Sequence, residues 1–473
     1  MRQLSTVDTM FMAIDTPDFP MHGMGIVFLD PSTAPQEVTF ERIRELFAER
    51  VDYMVPFRRR LVTVPLGLDR PFWIHDEGFD LHHHLHHVAV PSPGSMDKLL
   101  ALLNRIGNIP LDRDRPLWAA WFIEGLADGR LVLVLKAHHA CIDGVGGLAM
   151  LGDLVDREPD PAPRPPAPPV ELESMPTQGE LALQAVAATI IRPVRTMRAV
   201  AGIARTILPG LLPQPRPDSS LDVVSDPAPQ APSPEAAPFN ITTDERTHRN
   251  LAMTSFDLAE VKRVGKAHDG TVNDVFLSVV GGALRRYIAI DHEPPTAPLR
   301  AAVPVNLRTG DEDDPSTNII TVVAALVRVD IDDPVERLDA TVAATRKLKS
   351  ASGERATENV LESAFDLMTP AAASLLSRAY VSLIADRVQL PFHLLLSNVP
   401  GPAEPWYVAG ARIDAFHIQM MSFPGLGPIV VALSLGDRLY LSVTGTDEIT
   451  PDVESVATAL DDEMAALTAA VPA

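Results

Sequence analysis

An α+β fold in two domains of similar size is what this sequence predicts, and three observations carry the expectation. The chain has 473 residues, too many for one ordinary core when domains usually hold roughly 100 to 200. Compact apolar runs of strand length alternate with helix-like stretches towards both ends of the chain. Between those ends the composition turns proline-dense, which sustains neither a helix nor a central strand.

Residues 1–156 make the first expected domain, with strand-like "GMGIVFLD" (23–30) and helix-like "FERIRELFAERV" (40–51) and "SMDKLLALLNRI" (95–106). Residues 157–238 make the connection, proline-rich at 157–176 and again at 208–238. Within it, about 181–206, "LALQAVAATIIRPVRTMRAVAGIAR" has no acidic residue and carries Arg192, Arg195, Arg198 and Arg205. Arginines at three-residue steps among Ile, Val and Ala suit an amphipathic helix lying on a lipid surface, and equally a helix packed on the protein with solvated arginines. Residues 239–473 make the second domain, with "TVNDVFLSVVGGALRRYI", "LRAAVPVNLR", "NIITVVAALVRV", "FHLLLSNVPGP" and "RLYLSVTGTD" in order.

Composition excludes several function classes. A formal net charge of -22 opposes nucleic-acid binding, which needs a basic face for phosphates. The single cysteine, Cys141, permits no intrachain disulfide, and the start "MRQLSTVDTMF" lacks a basic region followed by an apolar one, so a reducing, cytoplasmic setting is expected. No run reaches the ~18 to 20 apolar residues of a membrane span, so any work at lipid is expected to be peripheral.

The stretch "LVLVLKAHHACIDGVGG" (131–147) carries the chemistry. Five apolar residues from Leu131 to Leu135 fit a strand covered on both faces near the middle of a sheet. Successive side chains on a strand point to opposite faces, so His138 and His139 cannot both aim at one reaction centre: one is expected to be catalytic, the other supporting. Gly144, Gly146 and Gly147 fit a tight turn and close backbone approach before a helix at "LAMLGDLV", which makes Gly144 a substrate-binding candidate. Asp143 would lie ~13 Å from His139 in an extended chain, too far for a triad, so support of the loop is the favoured role.

"HHACIDG" is similar to the HHxxxDG motif of the CoA-dependent acyltransferase superfamily, which includes chloramphenicol acetyltransferase-like enzymes and peptide-synthetase condensation domains. Five further blocks resemble one branch, the bacterial wax ester synthase/diacylglycerol acyltransferases: "PMHGMG" (20–25), "PLDRDRPLW" (110–118), "TVNDVFLSVVGGALRRY" (271–287), "VPVNLR" (303–308) and "SNVPGP" (397–402), in the family order. The resemblance implies two chloramphenicol-acetyltransferase-like α/β sandwich domains with an active-site tunnel between them. It implies long-chain acyl-CoA as donor and diacylglycerol or a fatty alcohol as acceptor, with peripheral contact at a membrane or lipid droplet. It places the general base on His139, loop support on Asp143, and a polar substrate contact on Asn273.

The chemistry needs a base because a lipid hydroxyl is too weakly acidic to attack a thioester unaided, and an imidazole of ordinary pKa ~6.5 is largely neutral at pH 7. The thioester supplies the driving force, so no metal, cofactor or covalent intermediate is expected. Cys141 could in principle carry an acyl group, but nothing nearby would lower its pKa. His82, His84 and His86 would share one face of a strand and could hold zinc, though no further ligand stands at a suitable spacing, and a strand edge near water is the plainer reading. The acidic run 310–318 reads as a solvated loop, and Asp112 to Arg115 as scaffold ion pairs. Two alternatives remain at this point. One is a condensation-type enzyme using a carrier-protein thioester, which the ND and NVPGP blocks oppose; the other is a catalytically silent lipid-binding or droplet-coating protein, which the intact HHxxxDG opposes.

Overall fold

Apolar runs with period two have built two six-stranded sheets, each covered by helices. The computed structural model describes residues 1–17, 19–142, 144–167, 176–177, 179–183, 185, 248–306, 320–352, 392–423 and 426–471. In the first half, β1 (Arg2–Gln3), β3 (Arg59–Val62) and β4 (Phe72–His75) form a small sheet of order β1-β4-β3. The larger first sheet takes β2 (His22–Asp30), β5 (Leu85–Ala89), β6 (Trp118–Glu124) and β7 (Leu131–His138). The second sheet takes β8 (Arg249–Asp257), β9 (Leu299–Asn306), β10 (Ile320–Val327), β11 (Leu394–Val399), β14 (Ile429–Leu435) and β15 (Arg438–Thr446), in the order β10-β9-β11-β14-β15-β8.

The remaining two strands cross over. β12 (Tyr407–Val408) and β13 (Ala411–Gln419) lie late in the chain yet complete the first sheet, whose order is β12-β13-β2-β7-β6-β5. β13 runs antiparallel to β2, with Phe416 opposite Val27. Its entry is fixed by a buried ion pair: Arg50 grips both oxygens of Asp156 at 2.9 and 2.7 Å, and the Asp156 backbone exchanges two hydrogen bonds with Tyr407. A division of the chain near residues 156 and 239 therefore does not coincide with the division between sheets.

Helices supply the other layers. α1 (Thr6–Ile14) packs near the small sheet, while α2 (Phe40–Arg50), α3 (Met96–Asn108) and α4 (Gly144–Leu154) cover the first large sheet. In α3, Leu99, Leu103 and Ile106 repeat at helical spacing and all are buried. The second sheet is backed by α5 (Leu258–Ala267), α6 (Val272–Ile288), α7 (Pro334–Ser352) and α8 (Val453–Ala470). The first core also takes in Leu251, Val399, Leu433 and Tyr440 from the second half, so the two halves share packing.

Two sequence expectations are corrected here. The glycines after the histidines do not form a turn ahead of a helix at Leu148; α4 itself starts at Gly144, so they lie in its opening turns. His82, His84 and His86 do not share a strand face, because Leu81–His83 is a 3-10 turn and β5 begins only at Leu85. The cause is aromatic packing: the His84 ring stacks on Trp118 at 4.6 Å and on Phe79 at 5.1 Å, and bonds Trp118 O through Nδ1 at 2.8 Å.

Candidate active site

β7 is an interior strand between β2 and β6, buried along most of its length, and it delivers the two histidines from a rigid support. The ladder continues past its end: His138 N–H donates to Leu117 O at 2.9 Å on one side, and His139 N–H donates to Met21 O at 2.8 Å on the other. His138 closes the strand in extended backbone, whereas His139 enters a turn closed by Cys141 N–H donating to His138 O at 2.9 Å, and the two rings meet different neighbours.

Both rings meet the C-terminal half of α1, His138 at its capping residue Asp15 and His139 at Phe11. His138 is 2% exposed. Its Nδ1 accepts from Ala140 N–H at 3.0 Å, which leaves the proton of the neutral ring on Nε2, and Nε2 faces Asp15 Oδ2 at 3.6 Å. That separation is an electrostatic contact rather than a hydrogen bond. Asp15 is the residue that ends α1; its Oδ1 accepts Met21 N–H at 2.8 Å, and Arg113 donates to its carboxylate and to its carbonyl oxygen. Burial alone would raise the Asp15 pKa, but the His138 and Arg113 contacts and the Met21 N–H outweigh it and hold the carboxyl well below the usual carboxylate range.

His139 sits against Phe11, with ring centroids 4.4 Å apart, and keeps partial solvent contact. Burial among apolar groups, with a smaller push from His138, lowers its pKa to about 4, so the ring is neutral at pH 7. Around it lies an apolar cluster built from Leu4, Phe11, Met21, Leu117 and Met421. Met420 and Phe423 join that cluster to another formed by Ala302, Leu395, Ile429 and Val431 of the second sheet, so apolar packing runs from one sheet to the other.

In the second half the "ND" and "SNVPGP" blocks converge. Asn273 opens α6, and its Oδ1 stands 3.5 Å from Asn398 Nδ2 at the end of β11. The neighbouring Asp274 is structural: it closes a capping box with Thr271 and accepts from Thr345 Oγ1 at 2.6 Å. Gly401 is required by close approach, since a Cβ there would stand 2.0 Å from Ser434 O.

Residues 4–276 match the family described as wax ester synthase/diacylglycerol acyltransferase catalytic domain, and residues 316–468 match its C-terminal domain. The chain belongs to that family. A Mycobacterium tuberculosis protein provisionally named a diacylglycerol O-acyltransferase is 35% identical over 419 residues, covering 88% of this chain and 86% of that one. The O-acyltransferase WSD of Acinetobacter baylyi is 28% identical over 474 residues, covering 98% and 96%. Among solved structures, the wax ester synthase/diacylglycerol acyltransferase of Marinobacter aquaeolei superposes with a TM-score of 0.70 at 24% identity over 100% of both chains. A condensation domain of the calcium-dependent antibiotic synthetase gives 0.56 at 14% identity over 99% and 97%. These likenesses show the shared two-sheet fold, and the family makes the chain an acyltransferase.

In this wax ester synthase/diacylglycerol acyltransferase family member, the structure places His138, His139, Gly144 and Asn273, while Asp143 lies outside the described residues. The acidic run 310–318 and the basic part of 181–206 also lie outside them; at the start of that segment Leu181 is buried against Val62 and Ile74. Arg113 serves the scaffold by holding Asp15. Cys141 is buried, and burial, helped by Asp8, pushes its thiol far above the ordinary range, which opposes a thiolate nucleophile.

Sequence reasoning missed three charged residues beside the histidines: Asp15, Lys136 and Arg249. Lys136 and Arg249 are both fully buried. Lys136 Nζ donates to Ile106 O at 2.8 Å and Ile109 O at 2.5 Å, the carbonyl end of α3, and lies 5.0 Å over Trp121. Burial and Arg249 bring its pKa down to about 7. A lysine directly following a run of apolar strand residues was the available signal, because it had to be either misplaced or partnered.

Proposed function

We propose that this chain transfers a long-chain acyl group from acyl-CoA to the hydroxyl of diacylglycerol, of a long-chain alcohol, or of both, with His139 as general base. The observation that carries the reading is the unlike treatment of two adjacent imidazoles. His138 spends Nδ1 on a backbone N–H and turns Nε2 to Asp15, whereas His139 is kept neutral beside Phe11 with partial solvent contact. Supporting it, the relatives bear the names diacylglycerol O-acyltransferase and O-acyltransferase.

In this scheme the alcohol enters within hydrogen-bond reach of His139, which takes the hydroxyl proton as oxygen attacks the thioester carbon. The imidazolium then protonates the departing CoA thiolate, so atoms balance without an acyl-enzyme, a metal or a cofactor. Such base catalysis contributes typically ~10² to 10⁴-fold, and holding both substrates in a tunnel between the sheets supplies much of the rest. His138 supports the strand end, Asp143 the loop after it, and Gly144 and Asn273 contact the substrates. Apolar walls suppress hydrolysis by excluding water. The acceptors reside in lipid, so the chain works from the cytoplasmic side at a membrane or droplet surface; among the described residues no helix is long and apolar enough to cross a membrane.

The test is to incubate purified protein with labelled palmitoyl-CoA and a panel including hexadecanol and dioleoylglycerol, then resolve the lipids and measure free CoA. Labelled wax ester or triacylglycerol, with equal release of CoA, is expected. Labelled free fatty acid alone, or no turnover, would overturn the proposal.

A further inference from the structure

Arg249, the first residue of β8, belongs to the second sheet by its backbone and to the first half by its side chain. Its NH1 donates to His22 O at 2.7 Å and to Met420 O at 3.3 Å; its NH2 donates to Gly107 O and stands 2.8 Å from His22 Nε2. His22 Nε2 also stands 2.7 Å from Gly107 O, and burial, with the guanidinium charge, pushes the His22 pKa well below its usual value and leaves the ring neutral. The Arg249 backbone is bracketed in turn by Asn108, which accepts its N–H at 3.0 Å and donates to its carbonyl at 3.1 Å. One side chain thus ties together the start of β2, the end of α3 and the segment after β13.

What it ties is the seat of the histidines. His22 is the ladder partner of His138, and the preceding residue, Met21, accepts the His139 N–H and donates to Asp15. Met420, whose carbonyl Arg249 also holds, belongs to the apolar bridge between the two sheets. A buried guanidinium bonded to backbone carbonyls and set beside a neutral imidazole is costly to desolvate, so stability is a poor reason to keep it. A planar fork that fixes several acceptors at once is a good means of registering one element against another.

We propose that Arg249 is a positioning residue, reaching from the second sheet to hold the Met21–His22 backbone and thereby set the place of His139 relative to the opposite wall of the site. The inference rests on the assignment of His139 as base. Removing the fork lets that backbone relax, and a shift of about 1 Å at the reacting groups is enough to cost ~10²-fold in rate. Lysine restores the charge without the fork and cannot reach the same acceptors.

The experiment compares Arg249→Met, Arg249→Lys and His139→Ala with the full-length parent. Melting temperature, kcat and KM for palmitoyl-CoA with the alcohol the parent uses, and amide hydrogen exchange over residues 137–142 are measured. The expected result is a folded Arg249→Met protein whose kcat falls at least about tenfold while KM for acyl-CoA stays within about threefold, with faster exchange at the His139 amide and no rescue by lysine. Parent-like kcat in folded Arg249→Met, or full rescue in Arg249→Lys, overturns the proposal; should the methionine variant not fold, the lysine variant decides alone by the same readouts. An inactive His139→Ala beside an active Arg249→Met would sink only the positioning role. An active His139→Ala would sink the base assignment, and the exchange measurement would still report whether Arg249 holds the strand end.

Discussion

The pKa of His139 can be read from the acid limb of the pH–rate profile. Burial beside Phe11 lowers it to about 4, against ~6.5 for an unperturbed imidazole, a difference of ~2.5 units or about 3 kcal/mol. The sign follows directly: protonation removes the base, so a lowered pKa moves the loss of activity to more acid pH. At pH 5 a base of pKa about 4 is roughly nine-tenths unprotonated, while an unperturbed histidine would be only ~3% so. The ratio of kcat/KM at pH 5 to its plateau value therefore separates the two by about thirtyfold. Asp15 does not confuse the limb, since its carboxyl is held well below the usual range and stays ionised throughout. Phe11→Ala admits water to the ring and raises the pKa; a rise of about one unit would bring the pH 5 value down to roughly half of plateau. The assay is initial rate against pH with circular dichroism at each point to confirm that the fold persists. A parent limb centred near pH 6.5, or a Phe11→Ala profile unmoved from the parent's, would refute the reasoning.

Three other outcomes follow from the geometry. Asp15→Asn keeps an acceptor for Met21 N–H but removes the charge facing His138, and should lower kcat by about tenfold without unfolding the protein; an unchanged kcat would separate Asp15 from the reaction. Cys141→Ala should retain full turnover, as the thiol is buried and protonated, and a large loss would return the sulfur to consideration as an acyl carrier. Gly401→Ala forces a Cβ to within 2.0 Å of Ser434 O and should destabilise by roughly 2 to 3 kcal/mol, read as a lowered denaturant midpoint with unchanged slope; a parent-like midpoint would contradict the close approach.

The local chemistry of the site was legible where the pattern was local. Leu131 to Leu135 announced a buried interior strand because both faces were apolar, whereas the alternation expected to separate His138 from His139 stops at His138, since His139 already lies in the turn that follows. The site's long-range partners were not legible. Asp15 reaches His138 only because α1 ends there and Arg113 folds back over it, which no spacing along the chain encodes. Arg249 looked like one more charge after a linker, since its acceptors are backbone carbonyls, which every residue has. β13 reads as an ordinary strand, and nothing in "ARIDAFHIQ" says that its partner is β2; the choice is made by the Arg50–Asp156 pair and the Tyr407 bridge. The histidines of 82–86 misled because a period of two was assumed where aromatic stacking on Trp118 imposes a turn.

The account stands most directly on single-turnover acyl transfer by His139→Ala and His138→Ala, each shown to be folded and mixed in excess with labelled palmitoyl-CoA and acceptor. It predicts that the His139 variant loses nearly all transfer while the His138 variant loses less. Parent-like transfer by folded His139→Ala would contradict it.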